Sequence, residues 1–118
     1  MSILSKVTEL VNSANIPVQT GVFEEPAPDL YAVLIPLLDN FEFFSDDRPG
    51  ADVEEIRVEI FSKGNYRTVK KALESAFLED GLYITERRYI GFETDTGYHH
   101  YSIDVEGFSP YSPESSPE

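Results

Sequence analysis

The sequence predicts an α+β domain: an antiparallel β-sheet with two α-helices packed on one face, in the order α-β-β-β-α-β-β. Three observations carry this. Two segments repeat apolar residues at helical spacing, several others alternate at strand spacing, and no regular βαβ alternation occurs that would build a parallel sheet. A chain of 118 residues has room for one core of ordinary size, and 41% hydrophobic against 26% charged residues is enough to fill it.

The first helix is expected over residues 3–14. Ile3, Leu4, Val7, Leu10, Val11 and Ala14 fall on one side, Ser5, Lys6, Glu9 and Asn12 on the other. Ser2 is the expected N-cap, and Pro17 closes the segment because the residue before a proline avoids the helical region. Val18 to Phe23 reads as a short first strand. Glu24 to Asp29, with Pro26 and Pro28, reads as an exposed loop.

Residues 30–38 are nearly all apolar, which suits a strand central in a sheet. Pro36 removes a ladder donor and so marks a bulge or the exit from regular pairing. Asp39 to Phe44 continues the strand or opens a long arm, and residues 45–50, Ser-Asp-Asp-Arg-Pro-Gly, carry turn chemistry. From Val53 to Phe61 the alternation is clean. Ile56, Val58 and Ile60 face one way, Arg57 and Glu59 the other.

Gly64-Asn65 precedes the second helix, whose apolar face is Val69, Leu73, Ala76 and Phe77. Gly81 stands where a helix end needs a left-handed residue. Leu82–Phe92 and Tyr98–Glu106 read as strands joined by the turn Thr94-Asp95-Thr96-Gly97. Tyr101, Ile103 and Val105 share a face opposite His100, Ser102 and Asp104. The domain is therefore expected to span residues 1–106. Residues 107–118, with three prolines and no periodicity, are expected to be a flexible tail dispensable for folding.

The charge balance excludes more than it identifies. Nine Lys and Arg against 22 Asp and Glu give −13, so the surface repels phosphate backbones and no nucleic-acid partner is expected. Without cysteine there is no thiol nucleophile, disulfide or thiolate metal site. The longest apolar run, Tyr31 to Leu38, is far short of the ~20 residues that span a bilayer, and residues 1–12 lack the pattern of a secretion signal. No membrane partner is expected, and the host cytoplasm is the expected compartment before any assembly.

Motifs for chemistry are scarce. His99 and His100 are adjacent on a strand, so they point to opposite faces and do not converge on one metal. No Gly-rich phosphate loop and no Gly-x-Ser-x-Gly elbow occurs. Asp46, Asp47 and Asp52 lack the spacing of a calcium loop, and abundant acids make neighbouring carboxylates expected on any surface. Arg87 and Arg88 alternate across a strand and suit salt bridges. The expectation is a protein without catalysis, cofactor or metal. Phe41, Phe43 and Phe44 beside Asp46, Asp47 and Arg48 are the candidate interface: they belong either to the core or to a contact with another protein.

Taken in order, several segments resemble one family. These are Ile16-Pro17-Val18-x-x-Gly21-x-Phe23, Pro26-x-Pro28-x-x-Tyr31, Asp39-Asn40-Phe41, and Arg57-Val58-Glu59-Ile60-Phe61-Ser62-Lys63 with the helix and hairpin that follow. Their order and spacing over residues 1–106 resemble the tail-terminator, or tail-completion, proteins of long-tailed bacteriophages and prophages. One departure stands out: the family loop after Asn-Phe usually reads Ala-Asp-Asn, whereas here residues 42–50 are longer and more acidic. The resemblance implies a structural virion protein at the tail or neck. It would be a homo-oligomeric, hexameric ring that caps the tail tube, its partners being the major tail tube protein and a neck or head-completion protein. Two other readings fit the charge as well: an acidic DNA-mimic inhibitor, and another head–tail connector component.

Overall fold

The computed structural model describes residues 2–24, 26–42 and 50–110, residues 40–42 by their backbone alone. Seven elements follow one another: α1 (Ile3–Ser13), β1 (Val18–Thr20), β2 (Leu30–Glu42), β3 (Ala51–Ser62), α2 (Tyr66–Glu79), β4 (Tyr83–Phe92) and β5 (His99–Pro110). The strands form one five-stranded sheet in the order β1-β2-β3-β5-β4. The fold is α+β with the expected element order, and no helix among the described residues is long and apolar enough to cross a membrane.

Local chemistry sets the helix ends. The Ser2 side chain accepts from the Ser5 backbone at 3.1 Å, and Asn65 does the same for Arg67 at 3.1 Å, each relieving an orphan donor of a first helical turn. After α2 the chain turns at Gly81 with φ +92°. The Gly81 amide donates to Leu78 and the Leu82 amide to Phe77, while Leu82 and Phe77 both enter the core.

Both helices lie on one face of the sheet. Ile3, Val7 and Val11 of α1 and Leu73 and Phe77 of α2 pack on Leu34, Ile56, Val58, Ile60, Ile103 and Val105. Each fully buried aliphatic side chain contributes roughly 1.5–3 kcal/mol. The register brings these residues together: Val58 lies opposite Leu34 on one side and Ile103 on the other, and Ile56 opposite Pro36 and Val105. At Pro36 the β2–β3 register slips by one residue, the bulge that a proline inside a strand demands.

Two features differ from the sequence reading. β1 is only three residues long and pairs parallel to β2, so the sheet is mixed. The Gly21 amide donates to Leu34 and the Ala32 amide to Pro17, tying the strand in at both ends. The prolines of residues 21–29 shape a connection that returns the chain in the same direction instead of folding it back as a hairpin.

The domain also extends past Glu106. β5 runs to Pro110, with Gly107, Phe108, Ser109 and Pro110 opposite Glu54, Val53, Asp52 and Ala51. Gly107 is required by its neighbours. A Cβ there would lie 2.7 Å from Cδ2 of Leu82 and 2.8 Å from Cδ1 of Ile3, both buried side chains. The tail reading therefore fails for residues 107–110: a residue without a side chain shows no hydrophobic periodicity, yet here it is what lets α1 sit on the sheet. Residues 111–118 lie outside the described residues, as do residues 45–49 of the turn expected at 45–50.

Ending the chain after Glu106 is expected to lower the melting temperature by several degrees relative to ending it after Pro110. Gly107→Val should cost about 1–3 kcal/mol through overpacking against Ile3 and Leu82. Equal melting of the two truncations would show that the last four residues of β5 add nothing.

Candidate interaction surface

The face of the sheet away from the helices carries no covering layer among the described residues, and its side chains lie in ordered rows. Tyr31, Phe61 and His100 form the first; Val33, Glu59, Ser102 and Arg88 the second; Ile35, Arg57, Asp104 and Glu86 the third; Leu38, Glu55, Glu106 and Tyr83 the fourth. The alternation that buries Ile56, Val58 and Ile60 under the helices puts these residues on the open side.

The first row is an aromatic stack. The rings of Tyr31 and Phe61 are 4.8 Å apart and nearly parallel, and Phe61 and His100 are 4.2 Å apart. Phe23 leans on Tyr31, and Tyr98 meets Tyr31 and Phe61 edge-on. The Tyr98 hydroxyl donates to the Pro28 carbonyl at 2.6 Å, which joins the proline loop to the β4–β5 turn. Nε2 of His100 lies 3.3 Å from Oε1 of Glu59, out of hydrogen-bond alignment, and finds no hydrogen-bond partner among the described residues. Beside the stack an open recess of about 520 Å³ is lined by Pro26, Lys63, Glu93, Asp95 and Tyr98, among others. Its Glu93 carboxylate accepts from Thr96 within the turn.

The third row holds the strongest polar contact. Arg57 donates from Nε and Nη2 to the two oxygens of Asp104, at 2.9 and 3.1 Å. Asp104 is only 4% exposed. The carboxylate hydrogen bond and charge hold the Arg57 guanidinium above its already high ordinary value. On β4 the two arginines separate as expected: Arg88 reaches Glu86 on the open side, and Arg87 reaches Glu74 of α2 on the helix side.

A second aromatic group sits on the helix side, where β4 meets α2. Tyr66 lies 5.2 Å from the rings of both Tyr89 and His99, Phe92 lies 4.9 Å from His99, and the Tyr89 hydroxyl is 3.0 Å from Nδ1 of His99. Tyr89 and Phe92 remain 44% and 51% exposed. β4 is an outer strand, and register shifts at Ile84/Glu86 and Tyr89/Gly91 interrupt its ladder. His99 and His100 therefore occupy opposite faces. Among the described residues, no three His, Asp or Glu side chains come together as a metal site would need.

At the base of the β2–β3 hairpin, Oε2 of Glu54 accepts from the Leu4 amide at 2.9 Å and so caps α1 from the sheet. Burial pushes this carboxyl above its ordinary value of 4.5, Asp39 and Asp52 add repulsion, and the Leu4 and Ile3 amides oppose the rise. Of the expected interface residues, Phe41 falls in β2 opposite Asp52, its side chain not among those described. Phe43, Phe44, Asp46, Asp47 and Arg48 lie outside the described residues. The sequence reading did not single out Tyr66, Tyr89 and Phe92. The signal was there in part: Tyr66 and Lys70 stand one helical turn apart, on the flank of the apolar stripe. The chain matches no family model and no curated protein.

Two measurements check these contacts. Arg57→Met leaves the Asp104 carboxylate buried without its cation and should cost about 2–3 kcal/mol. Arg57→Met with Asp104→Asn should recover most of that loss. A single variant as stable as the parent would remove the pair from the stability account. For Glu54, the raised folded pKa means that the folded chain binds more protons, so stability falls as pH rises from about 4.5 through the folded value. Glu54→Gln keeps the acceptor and removes the charge. Its stability relative to the parent should rise across that interval and level off above it; a relative loss with rising pH would reverse the argument.

Proposed function

We propose that this protein is a structural subunit of a bacteriophage tail, a ring-forming terminator that caps the tail tube and joins it to the neck. The carrying observation is the open sheet face. It is a broad, uncovered surface on which carboxylates alternate with Arg57 and Arg88, so it carries both signs of charge. The order of sequence segments resembling tail-completion proteins supports the same reading. Those segments occupy structural positions: Ile16 in the core, Gly21 with φ +86° bonded to Leu34, and Phe23 against Tyr31. They specify a fold and carry no chemistry, as a structural protein requires. The mixed signs on the open face favour this over an acidic DNA mimic, which needs carboxylates unbroken along one face.

In this role the net charge of −13 keeps free subunits soluble and leaves a ring that does not trap passing DNA. The proposed partners are further copies of the chain, the tail tube protein and a neck protein, and the proposed location is the head-proximal end of the tail. Electron microscopy of particles carrying an epitope-tagged copy should place the label at the head–tail junction, and sedimentation at high protein concentration should show a closed oligomer, expected as a hexamer. Label absent from purified particles, together with specific capture of a nucleic-acid enzyme, would replace this reading with the mimic.

A further inference from the structure

Eight Lys and Arg residues lie among the described ones, and five of them form ion pairs: Lys6, Arg57, Lys63, Arg87 and Arg88. The remaining three, Arg67, Lys70 and Lys71, make none among the described residues and all stand on the first half of α2. On a chain with 22 acids, three neighbouring cations with no carboxylate partner among the described residues stand out. Helical spacing sets them side by side on the arc flanking the buried stripe of Leu73 and Phe77. Lys70 sits with Nζ 5.2 Å above the ring of Tyr101, and Tyr66, one turn back, leads on to Tyr89 and Phe92. The patch is thus basic along the helix and aromatic along β4.

Its chemical complement is in the same sequence. Residues 41–47, Phe-Glu-Phe-Phe-Ser-Asp-Asp, place three phenylalanines among three carboxylates. We propose that the α2–β4 patch receives this segment of a second copy of the chain. The carboxylates would meet Arg67, Lys70 and Lys71, and the phenylalanines would meet Tyr66, Tyr89 and Phe92. This rests on the self-assembly reading above and names the surfaces that perform it.

The contact can form only between copies. The patch lies at the Ser62 end of β3, where Ser62 pairs with His99 and His99 with Phe92, whereas Ala51, paired with Glu42, begins the same strand at its other end. Eleven strand steps separate the two ends by about 36 Å. The residues between Glu42 and Ala51 are anchored at both ends and reach out about 15 Å at most. One end of each subunit therefore binds the opposite end of the next, a head-to-tail contact that closes into a ring if the rotation permits.

The lack of cysteine makes the test direct. Ser45→Cys in one preparation and Thr68→Cys, beside Lys71, in another should couple through a short bismaleimide on mixing. Ser45→Cys with Thr85→Cys, on the opposite sheet face, should not. Arg67→Glu with Lys71→Glu, and separately Asp46→Lys with Asp47→Lys, should each weaken self-association about tenfold or more by sedimentation while leaving circular dichroism unchanged; all four changes in one chain should restore it. Oligomers that form without preferential Ser45–Thr68 coupling, or that ignore both reversals, overturn this contact and leave self-assembly standing. Loss of association on ending the chain after Pro110, with the reversals silent, would give the patch to the C-terminal residues instead. A chain monomeric at every concentration and uncoupled in every pair would overturn the contact and the ring together.

Discussion

The register of β3 against its two neighbours is the constraint on which the rest of the structure depends. β3 is the middle strand, and every one of its residues has a partner on at least one side. In its present register Ile56, Val58 and Ile60 meet apolar partners under the helices, while Arg57 meets Asp104 on the far side. A slip of one residue would put Arg57 and Glu59 under α1 and α2 and expose the isoleucines. The buried ion pair on the open face and the apolar core are thus two consequences of a single alignment.

Much of this architecture is legible in the sequence because the relevant signals are local. The alternation over Val53 to Phe61, the cap Ser2, the left-handed Gly81 and the disruption at Pro36 each act within a few residues, and each is found where its chemistry requires. What escapes a local reading is pairing between distant segments. The parallel direction of β1 depends on how the proline loop returns the chain. The strand character of residues 107–110 depends on Ala51 to Glu54, far away in sequence, and on a glycine whose importance lies in what it lacks. The Arg57–Asp104 contact is invisible until the β3–β5 register is known. So is the basic and aromatic patch, because Tyr66, Tyr89, Phe92 and His99 come from three elements.

The two faces of the sheet divide the work of the molecule. The helix side uses nearly all of its apolar residues to hold the fold. The open side keeps polar rows and an aromatic stack ordered without a layer above them, because Asp104 and Ser102 are shielded by the long side chains beside them. β4 closes the sheet as an exposed outer strand, and its two irregularities leave no long flat ladder for a stray strand to extend.

The seat of Ile3 on Gly107 has a bearing on how the chain acquires its structure during synthesis. α1 is made before every strand of the sheet yet is among the last elements able to finish its packing, because the strand beneath its amino end is β5, the last of the seven to be made. Until then α1 lacks both that support and the full sheet that buries Val7 and Val11. Folding must therefore wait for a contact of very long range, and chains of this kind condense late and as a unit, not stepwise from the front. In the assembly proposed above, a nascent chain would stay unable to present its contact surfaces until β5 had been made, so it would not join its neighbours before its sheet was complete.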